Sequence, residues 1–366
     1  MTPARRLRRV AVLHGGVVRD KGQLMAERAL RRPHGLAHPD PLPGPETVRR
    51  AIELGCTFLR RRQGRTGVWK GFLLPPGATT TWLTAHVAFV VEDVPELTDA
   101  CRRAALHLES TGAEDGGWGY NRRVAVDCDS TAQALLVLHR FRRDVPVFLL
   151  ETLVLAQLRE GGFPTYATSG AVASGWHAAH PDVTAIAVEM LSRHGRPEAA
   201  ERASRWLEAQ DPSSGFASYW WDGPHYGLWA RARAGLLRPA AAGEVAAALR
   251  ETRTAPHVAL AVVAALALHL SEENIRDGVH QLLRTQLGDG SWPCAPCLRI
   301  TDPHEHVTHS QLRGTCYADG RRIFSTAHAV AALASVQAVE TNLEGETEGG
   351  ERQTELSVPT RSTRPT

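Results

Sequence analysis

The sequence predicts an all-α protein, a single α/α toroid in which helix pairs form two concentric layers around a central cavity. Three observations predict this fold: a recurring helix start, a recurring turn of glycine and aromatic residues, and helices that are apolar on nearly every side. The chain has 366 residues, of which 43% are hydrophobic and 22% charged, so it can bury one large core.

The recurring helix start is a Thr-Ala pair followed by an apolar run. The pairs begin at Thr84, Thr131, Thr184 and Thr326, and a degenerate copy begins at Ala255. Thr84 and Thr131 are 47 residues apart, and Thr131 and Thr184 are 53 apart, which leaves room for two helices and two loops. Five or six such units fit residues 45–340.

The recurring turn closes each unit. Its copies are QGRTGVW (63–69), DGGWGY (115–120), QLREGGFPTY (157–166), QDPSSGFASYWW (210–221) and QLGDGSW (286–292). The segment Val258–Leu270 is apolar on nearly all sides, which predicts an inner helix, whereas Pro197–Ala209 carries charges on one face, which predicts an outer helix. A closed ring of such pairs leaves no exposed end repeat.

The two ends of the chain differ from this middle. Residues 1–44 are rich in arginine and proline and form a separate N-terminal segment without a periodic pattern. Residues 341–366 are polar and have few large apolar side chains, so they cannot bury enough surface to offset the entropy of ordering. We therefore expect a disordered tail after a toroid at 45–340.

Composition and charge exclude several classes of protein. A net charge of +3 gives no reason to expect a nucleic-acid partner. No apolar run approaches the ~20 residues of a membrane span, and the N-terminus matches a signal peptide poorly. We expect a cytoplasmic protein that can touch a membrane peripherally. The basic residues are arginine except Lys21 and Lys70, which is typical of a GC-rich bacterial genome.

The turns resemble the QW motifs of the triterpene cyclase family, which shares its repeat with the prenyltransferases. QLGDGSW matches closely, and the helix starts STA and VTA resemble that family's inner helices. The resemblance covers about residues 50–340 and implies an α/α toroid that binds an isoprenoid. It also implies a structural role for Gln286, Gly290 and Trp292, which join helix ends.

One helix start differs from the others: Val126-Asp-Cys-Asp-Ser-Thr-Ala132. It resembles the Asp-x-Asp-Asp-Thr-Ala signature of class II terpene cyclases, which protonate an alkene or epoxide to begin cyclisation. The resemblance implies that Asp129 is the proton donor and that Asp127 polarises it, while Ser130 stands where the family has a third Asp. It predicts a cyclase of the isomerase or lyase type that acts on a linear isoprenoid without a cofactor.

Helix capping is the alternative explanation of these residues. Asp and Ser are favoured N-caps, and Ser130 with Gln133 matches a capping box. A helix N-terminus stabilises an ionised carboxylate, whereas burial and the neighbouring Asp127 raise the pKa of one carboxyl group of the pair. A cationic histidine beside Asp127 would sharpen the acidity of the donor, and His177 or His180 could reach that position.

A cyclase also needs aromatic faces that stabilise carbocations. The aromatic residues near helix starts and turns are Trp82, Trp118, Trp176, Tyr219, Trp220 and Trp221. Of these, Trp82 and the cluster 219–221 are the best candidates for contact with substrate.

Two other functions stay open. A zinc-dependent prenyl-binding protein or prenyltransferase subunit would use soft ligands, and Cys294, Cys297, His304, His306 and His309 supply them at short spacing. The sequence has no Asp-Asp-x-x-Asp motif, and we expect no bound metal. The second is a toroid without catalytic activity that binds an isoprenoid or a partner protein.

Overall fold

The computed structural model describes residues 44–112, 116–167, 174–210, 216–309 and 311–353, with side chains up to residue 340. The N-terminal segment predicted at 1–44 lies outside this part of the chain except for Gly44. The end of the predicted tail, 354–366, also lies outside it.

The described residues form twelve α-helices and four short strands. In chain order they are α1 (Pro45–Arg62), β1 (Gly71–Leu74), β2 (Gly77–Thr79), α2 (Thr81–Val90), α3 (Thr98–Gly112), α4 (Cys128–Arg140), α5 (Val147–Leu155), α6 (Pro181–Arg193), α7 (Pro197–Glu208), α8 (His225–Arg233), α9 (Ala242–Glu251), α10 (Ala255–Ala267), α11 (Glu272–Thr285), β3 (Pro296–Thr301), β4 (Gly314–Ala318) and α12 (Ile323–Gln353). The strands make two antiparallel pairs, β1–β2 and β3–β4. The predicted all-α class is confirmed.

The even-numbered helices form a closed inner ring. Each contacts the next, from α2 through α4, α6, α8 and α10 to α12, and α12 contacts α2 again. All ten residues of α2 are buried, as an inner helix requires. The odd-numbered helices pack outside this ring and bury one face, so the predicted toroid is confirmed.

The Thr-Ala pairs occupy one position in four inner helices, where each Thr is the fourth residue of its helix. The hydroxyl group of each Thr accepts the backbone N–H of an aromatic residue in the preceding turn. These bonds run from Trp69 to Thr84, Trp118 to Thr131, Phe163 to Thr184 and Trp292 to Thr326, at 2.8–3.2 Å. The recurring start and the recurring turn are therefore two halves of one hydrogen-bonded joint.

The glutamines of the turns join neighbouring outer helices. The side-chain amide of Gln286 donates to the carbonyl of Gly290 in its own turn and to the carbonyl of Ala51 in α1, at 3.0 and 2.9 Å. Gly290 has φ +85°, and a Cβ there would lie 2.4 Å from the carbonyl oxygen of Leu54. Trp292 donates its indole N–H to Leu282 at 2.7 Å. The geometry matches the structural role implied for these residues and ties the last turn to the first helix.

The last helix differs from the sequence prediction at its end. It continues to Gln353, although we predict disorder from residue 341. Each residue added to an existing helix gains one backbone hydrogen bond, so a polar segment can extend a buried one. Among the described residues, the segment Ile323–Glu340 is long and apolar enough to cross a membrane, but 61% of it is buried in the protein core.

Candidate active site

Equivalent positions of four repeats meet at the amino ends of the inner helices. The residues two places before each repeat Thr are Trp82, Asp129, Asp182 and Phe324. Those two places after it are His86, Gln133, Ile186 and His328. Because residues i and i+4 share a helix face, each inner helix presents a matched pair to its neighbours.

Asp129 is held by two side-chain donors. Trp82 Nε1 donates to Asp129 Oδ2 at 2.6 Å, and Gln133 Nε2 donates to Asp129 Oδ1 at 2.9 Å. The pKa of Asp129 is raised to about 6. Burial is the largest cause and the charge of Asp182 adds to it, while the two hydrogen bonds lower the pKa. Asp129 is partly exposed, whereas its neighbours Cys128 and Ser130 are buried.

Asp127, and not Asp129, caps helix α4. Its backbone is extended, with φ −130° and ψ 158°, and its carboxylate accepts the backbone N–H of Ser130 at 2.6 Å and the Ser130 hydroxyl at 2.8 Å. The capping box expected between Ser130 and Gln133 is wrong, because the helix begins one turn earlier and Gln133 bonds to Asp129. Burial, followed by the charge of Asp129, raises the pKa of Asp127 to about 7.

Asp182 has the same repeat position as Asp129 but a different environment. Its two carboxylate oxygens accept the backbone N–H groups of Tyr219 and Trp220, at 3.1 and 3.0 Å. This side chain therefore anchors the turn before α8. Asp129 faces no backbone donor among the described residues, which leaves its oxygens to side chains.

His180 lies in a separate buried network. Its ring bonds to the Thr165 hydroxyl at 2.9 Å and to the carbonyl of Gly175 at 3.0 Å, and it stacks on Tyr219 with ring centroids 3.7 Å apart. Burial lowers the pKa of His180 to about 3, so the ring is neutral. This neutral ring does not supply the cation that we expect beside Asp127. The other candidate, His177, bonds to the backbone carbonyl of Tyr166.

The candidate aromatic residues divide into two groups. Trp82 and Trp221 lie in a central cluster around His86, in which Trp221 stacks on Tyr226 at 4.3 Å and on Phe324 at 4.9 Å.

The other candidate aromatic residues make hydrogen bonds and ring contacts that connect separate segments of the fold. Trp118 donates its indole N–H to Leu108, and Tyr219 donates its hydroxyl to the carbonyl of Glu305. Trp220 donates to Thr165 and lies against Trp176, with ring centroids 5.4 Å apart.

Four residues near Asp129 have no place in the sequence prediction of the site. His86 and His328 are fully buried, and Gln133 connects them to Asp129. The hydroxyl of Tyr226 is buried and makes no hydrogen bond of normal geometry among the described residues. Burial, followed by the charges of Asp129 and of Asp182, raises the pKa of Tyr226 well above its ordinary value.

The cysteine and histidine cluster does not assemble into a metal site. Within the residues that the structure describes, no group of three or more His, Cys, Asp or Glu side chains could hold a metal ion. Cys297 is buried on β3, whereas Cys294 is exposed. His306 bonds to Ser174 and His309 lies 3.6 Å from Glu305.

This protein is similar to known proteins in structure and has no detected match in sequence. No protein-family model and no curated protein matches the sequence. The type II terpene cyclase MstE from Scytonema superposes with a TM-score of 0.68 at 22% identity, over 81% of this chain and 99% of that one.

Two further structures agree. A variant of MstE in complex with its substrate, geranylgeranyl dihydroxybenzoate, gives a TM-score of 0.67 at 20% identity, over 80% and 98% of the two chains. A protein from Actinoplanes gives 0.66 at 24% identity, over 79% and 99%. The chain therefore has the fold of the class II terpene cyclases.

Proposed function

We propose that this chain is a class II terpene cyclase in which Asp129 donates a proton to a linear isoprenoid and so begins its cyclisation. The environment of Asp129 carries the proposal. Its carboxyl group lies among aromatic rings at the centre of a terpene cyclase fold, with its pKa raised to about 6 and with donors on both oxygens.

The proton to be donated resides on Asp129 itself. Each carboxyl oxygen accepts one hydrogen bond and keeps a lone pair that can carry a proton. With a pKa of about 6, roughly one tenth of the groups are protonated at pH 7. An isoprenoid chain bound over Asp129, which is partly exposed, excludes water, and this raises the pKa of the carboxyl group further and enlarges the protonated fraction.

The proton transfer forms one C–H bond and leaves one carbocation. The π electrons of the terminal alkene take the proton, and the positive charge appears on the neighbouring carbon, where the next double bond of the chain attacks. Asp129 becomes a carboxylate, which the N–H groups of Trp82 and Gln133 stabilise as its charge develops. The indole of Trp82, which contacts Asp129 directly, supplies an aromatic ring that can stabilise the cation.

Asp127 and Ser130 have a supporting part in this proposal. Their mutual hydrogen bonds fix the first turn of α4, and so fix the position of Asp129, which lies between them in that turn. The absence of a third Asp is then consistent with activity, because Ser130 supplies the donor that Asp127 needs.

The substrate class follows from the fold and the chemistry. MstE binds geranylgeranyl dihydroxybenzoate as its substrate. We propose a linear isoprenoid for this chain as well, with no cofactor.

Peripheral membrane contact is also part of the proposal. Val147, Phe148 and Leu155 on α5 are 68%, 50% and 83% exposed, and such a patch favours a lipid surface. Flotation with lipid vesicles tests this contact. We expect the Val147→Ser/Leu155→Ser double variant to float less than the wild type, and equal flotation would contradict the contact.

Asp129→Asn tests the function. Asparagine keeps the size of the side chain but cannot deliver the proton, so we expect cyclised product from farnesyl, geranylgeranyl or squalene-type substrates to fall by ~10²–10⁴-fold. The melting temperature should not fall at pH 7, since Asp129 is not the cap and a carboxyl group whose pKa is raised to about 6 by folding costs stability when it ionises. Asp127→Asn is the matched control and should keep activity within a few-fold, because asparagine also caps helices.

Two results would count against the proposal. If Asp129→Asn cyclises substrate at the wild-type rate, Asp129 is not the acid. If the folded wild type turns over none of these substrates but binds them, the chain is a binding toroid without catalytic activity.

A further inference from the structure

Three buried side chains form a continuous series of hydrogen bonds that ends on the proposed acid, Asp129. His328 Nε2 and His86 Nε2 are 2.9 Å apart, and His86 Nδ1 and Gln133 Oε1 are 2.7 Å apart. Gln133 Nε2 then donates to Asp129 Oδ1 at 2.9 Å. The series runs across three inner helices, α12, α2 and α4, and joins residues that are 242 positions apart in the sequence.

The repeat explains why these residues meet. His86, Gln133 and His328 are the residues two places after the Thr of their repeats, so the ring of inner helices brings them together in one layer. The fourth member of that layer, Ile186, is apolar. At most 1% of each of the three polar side chains is exposed, and hydrogen bonds in such surroundings are expensive to leave unmade.

The neutral histidines and the Asp129 carboxylate together determine which atom donates in each of these hydrogen bonds. Burial lowers the pKa of His86 to about 3 and that of His328 well below its ordinary value, so both rings are neutral and each carries one N–H. An amide oxygen facing the Asp129 carboxylate would be repelled, so the amide N–H must face it. Gln133 Oε1 then faces His86, whose Nδ1 must carry the hydrogen, and His86 Nε2 accepts from His328.

We propose that His86, held by His328, is a positioning residue of the acid: it fixes the amide of Gln133 so that the amide N–H points at Asp129 and stabilises the ionised carboxylate. The inference rests on the proposed function of Asp129. Without the His86 N–H, the Gln133 amide loses the contact that selects its orientation. Asp129 then loses a donor, becomes harder to ionise and becomes a weaker acid.

Other titratable groups surround Asp129, and the test must separate them from His86. Asp127 and Cys128 belong to the same helix, Asp182 faces it from α6 and Tyr226 from α8. Asp127, Cys128 and Asp182 take no part in the series through Gln133. Tyr226 does lie against it: Gln133 lowers the pKa of its hydroxyl, and its ring stacks on His86 with centroids 6.0 Å apart, so a change at His86 also alters the surroundings of Tyr226.

The experiment is a titration of the Asp129 carboxyl carbon in protein labelled with ¹³C-aspartate, with the signal assigned by its loss in Asp129→Asn. In His86→Leu we expect the pKa of Asp129 to rise by about one unit, a tenfold gain in proton affinity. The alkaline limb of the kcat/KM profile should move to higher pH, and the plateau below it should fall. His86→Asn, whose side-chain N–H lies near the position of the histidine Nδ1–H, should titrate close to the wild type.

Two further variants keep the test decisive. His328→Phe retains a ring but removes the donor to His86, so it should shift the pKa of Asp129 in the same direction even if His86→Leu does not fold. His257→Leu removes a partly buried imidazole that is not hydrogen-bonded to this series of side chains, and it should leave the pKa of Asp129 unchanged. An unchanged Asp129 pKa in folded His86→Leu or His328→Phe overturns the inference. Since the titration needs no substrate, failure of the proposed function is seen separately, as cyclisation that persists in Asp129→Asn.

Discussion

Trp82 and Asp129 occupy the same position in two successive repeats and are joined by a 2.6 Å hydrogen bond from Nε1 to Oδ2. The repeat therefore places an indole donor, which is also an aromatic face, directly against the carboxyl group. Trp82 also stacks on His86, with ring centroids 4.6 Å apart. One side chain thus contacts both the proposed acid and the residue that positions it.

Trp82→Phe separates the two roles of this side chain. The ring stays, but the N–H that lowers the pKa of Asp129 is lost, so the pKa should rise above about 6. The alkaline limb of kcat/KM should move to higher pH, because the acid must be protonated to act. Trp82→Leu is the control that removes the aromatic face as well and should lower kcat further. A limb that stays in place in Trp82→Phe would show that the indole N–H does not tune the acid.

Asp127→Asn should change how stability depends on pH. An Asp carboxyl has an ordinary pKa of 3.8, and that of Asp127 is raised to about 7 in the folded state. Between these values the folded protein holds the proton more tightly than the unfolded chain, so this group's contribution to stability falls as pH rises. Asparagine keeps the cap and does not titrate. The variant should therefore gain stability relative to the wild type from pH 4 to pH 7.

Urea unfolding at several pH values measures this gain. Asp127→Ala is the control: it removes the cap, costs about 1 kcal/mol and should also lack the pH dependence. A constant free-energy difference between wild type and Asp127→Asn across this range would place the Asp127 pKa near its ordinary value.

Much of this fold can be predicted from the sequence, because the repeated motifs are the segments that hold the helices together. The Thr-Ala pairs and the glycine-aromatic turns bond to each other in the structure, so a pattern visible in the sequence corresponds to a physical joint. The position of helix α8 is not predicted by this pattern, because α8 has no Thr-Ala pair at its start. The repeat pattern therefore does not predict Tyr226, which lies on α8 and whose buried hydroxyl makes no hydrogen bond of normal geometry among the described residues.

The site is harder to predict than the fold. In the sequence, Gln133 fits a capping box with Ser130. The helix begins about one turn earlier than that motif predicts, and the Gln133 amide therefore donates to Asp129. His86 and His328 both follow a Thr-Ala pair, which is a signal in the sequence. A single histidine in an apolar helix nevertheless shows no partner until the ring is closed.

Ring closure can be tested at Gln286. Its amide donates to the carbonyl of Ala51 in the first helix, as Gln157 donates to Ala199 within the ring. Gln286→Ala leaves the turn and helix carbonyls without this donor, so the free energy of unfolding should fall by about 1–3 kcal/mol. Gln157→Ala is the matched control and should cost a similar amount. If Gln286→Ala costs far less in urea unfolding, the first and last repeats are not firmly joined.

A buried ion cluster at the carboxyl ends of three inner helices gives the last prediction. Glu92 is 6% exposed, and its carboxylate accepts two hydrogen bonds from Arg193 and one from Arg233, while Glu189 also contacts both arginines. Burial alone would raise the pKa of Glu92, but the hydrogen bonds and charges of the two arginines lower it below its ordinary value. The group therefore adds stability above pH 4.5, and this stability is lost as pH falls through the folded pKa.

Glu92→Gln should lower the free energy of unfolding by about 3–5 kcal/mol at pH 7, because two arginines are then left with one buried carboxylate. The exposed pair Glu201 and Arg205 on α7 supplies the control, since Glu201→Gln should cost less than about 1 kcal/mol. In urea unfolding, the difference between wild type and Glu92→Gln should narrow as pH falls from 4.5 to the folded pKa, because the unfolded chain binds a proton at Glu92 in this range while the native carboxylate is still ionised. A Glu92→Gln variant that costs no more than Glu201→Gln, or a difference that stays constant with pH, would mean that the cluster fills space without stabilising the ring.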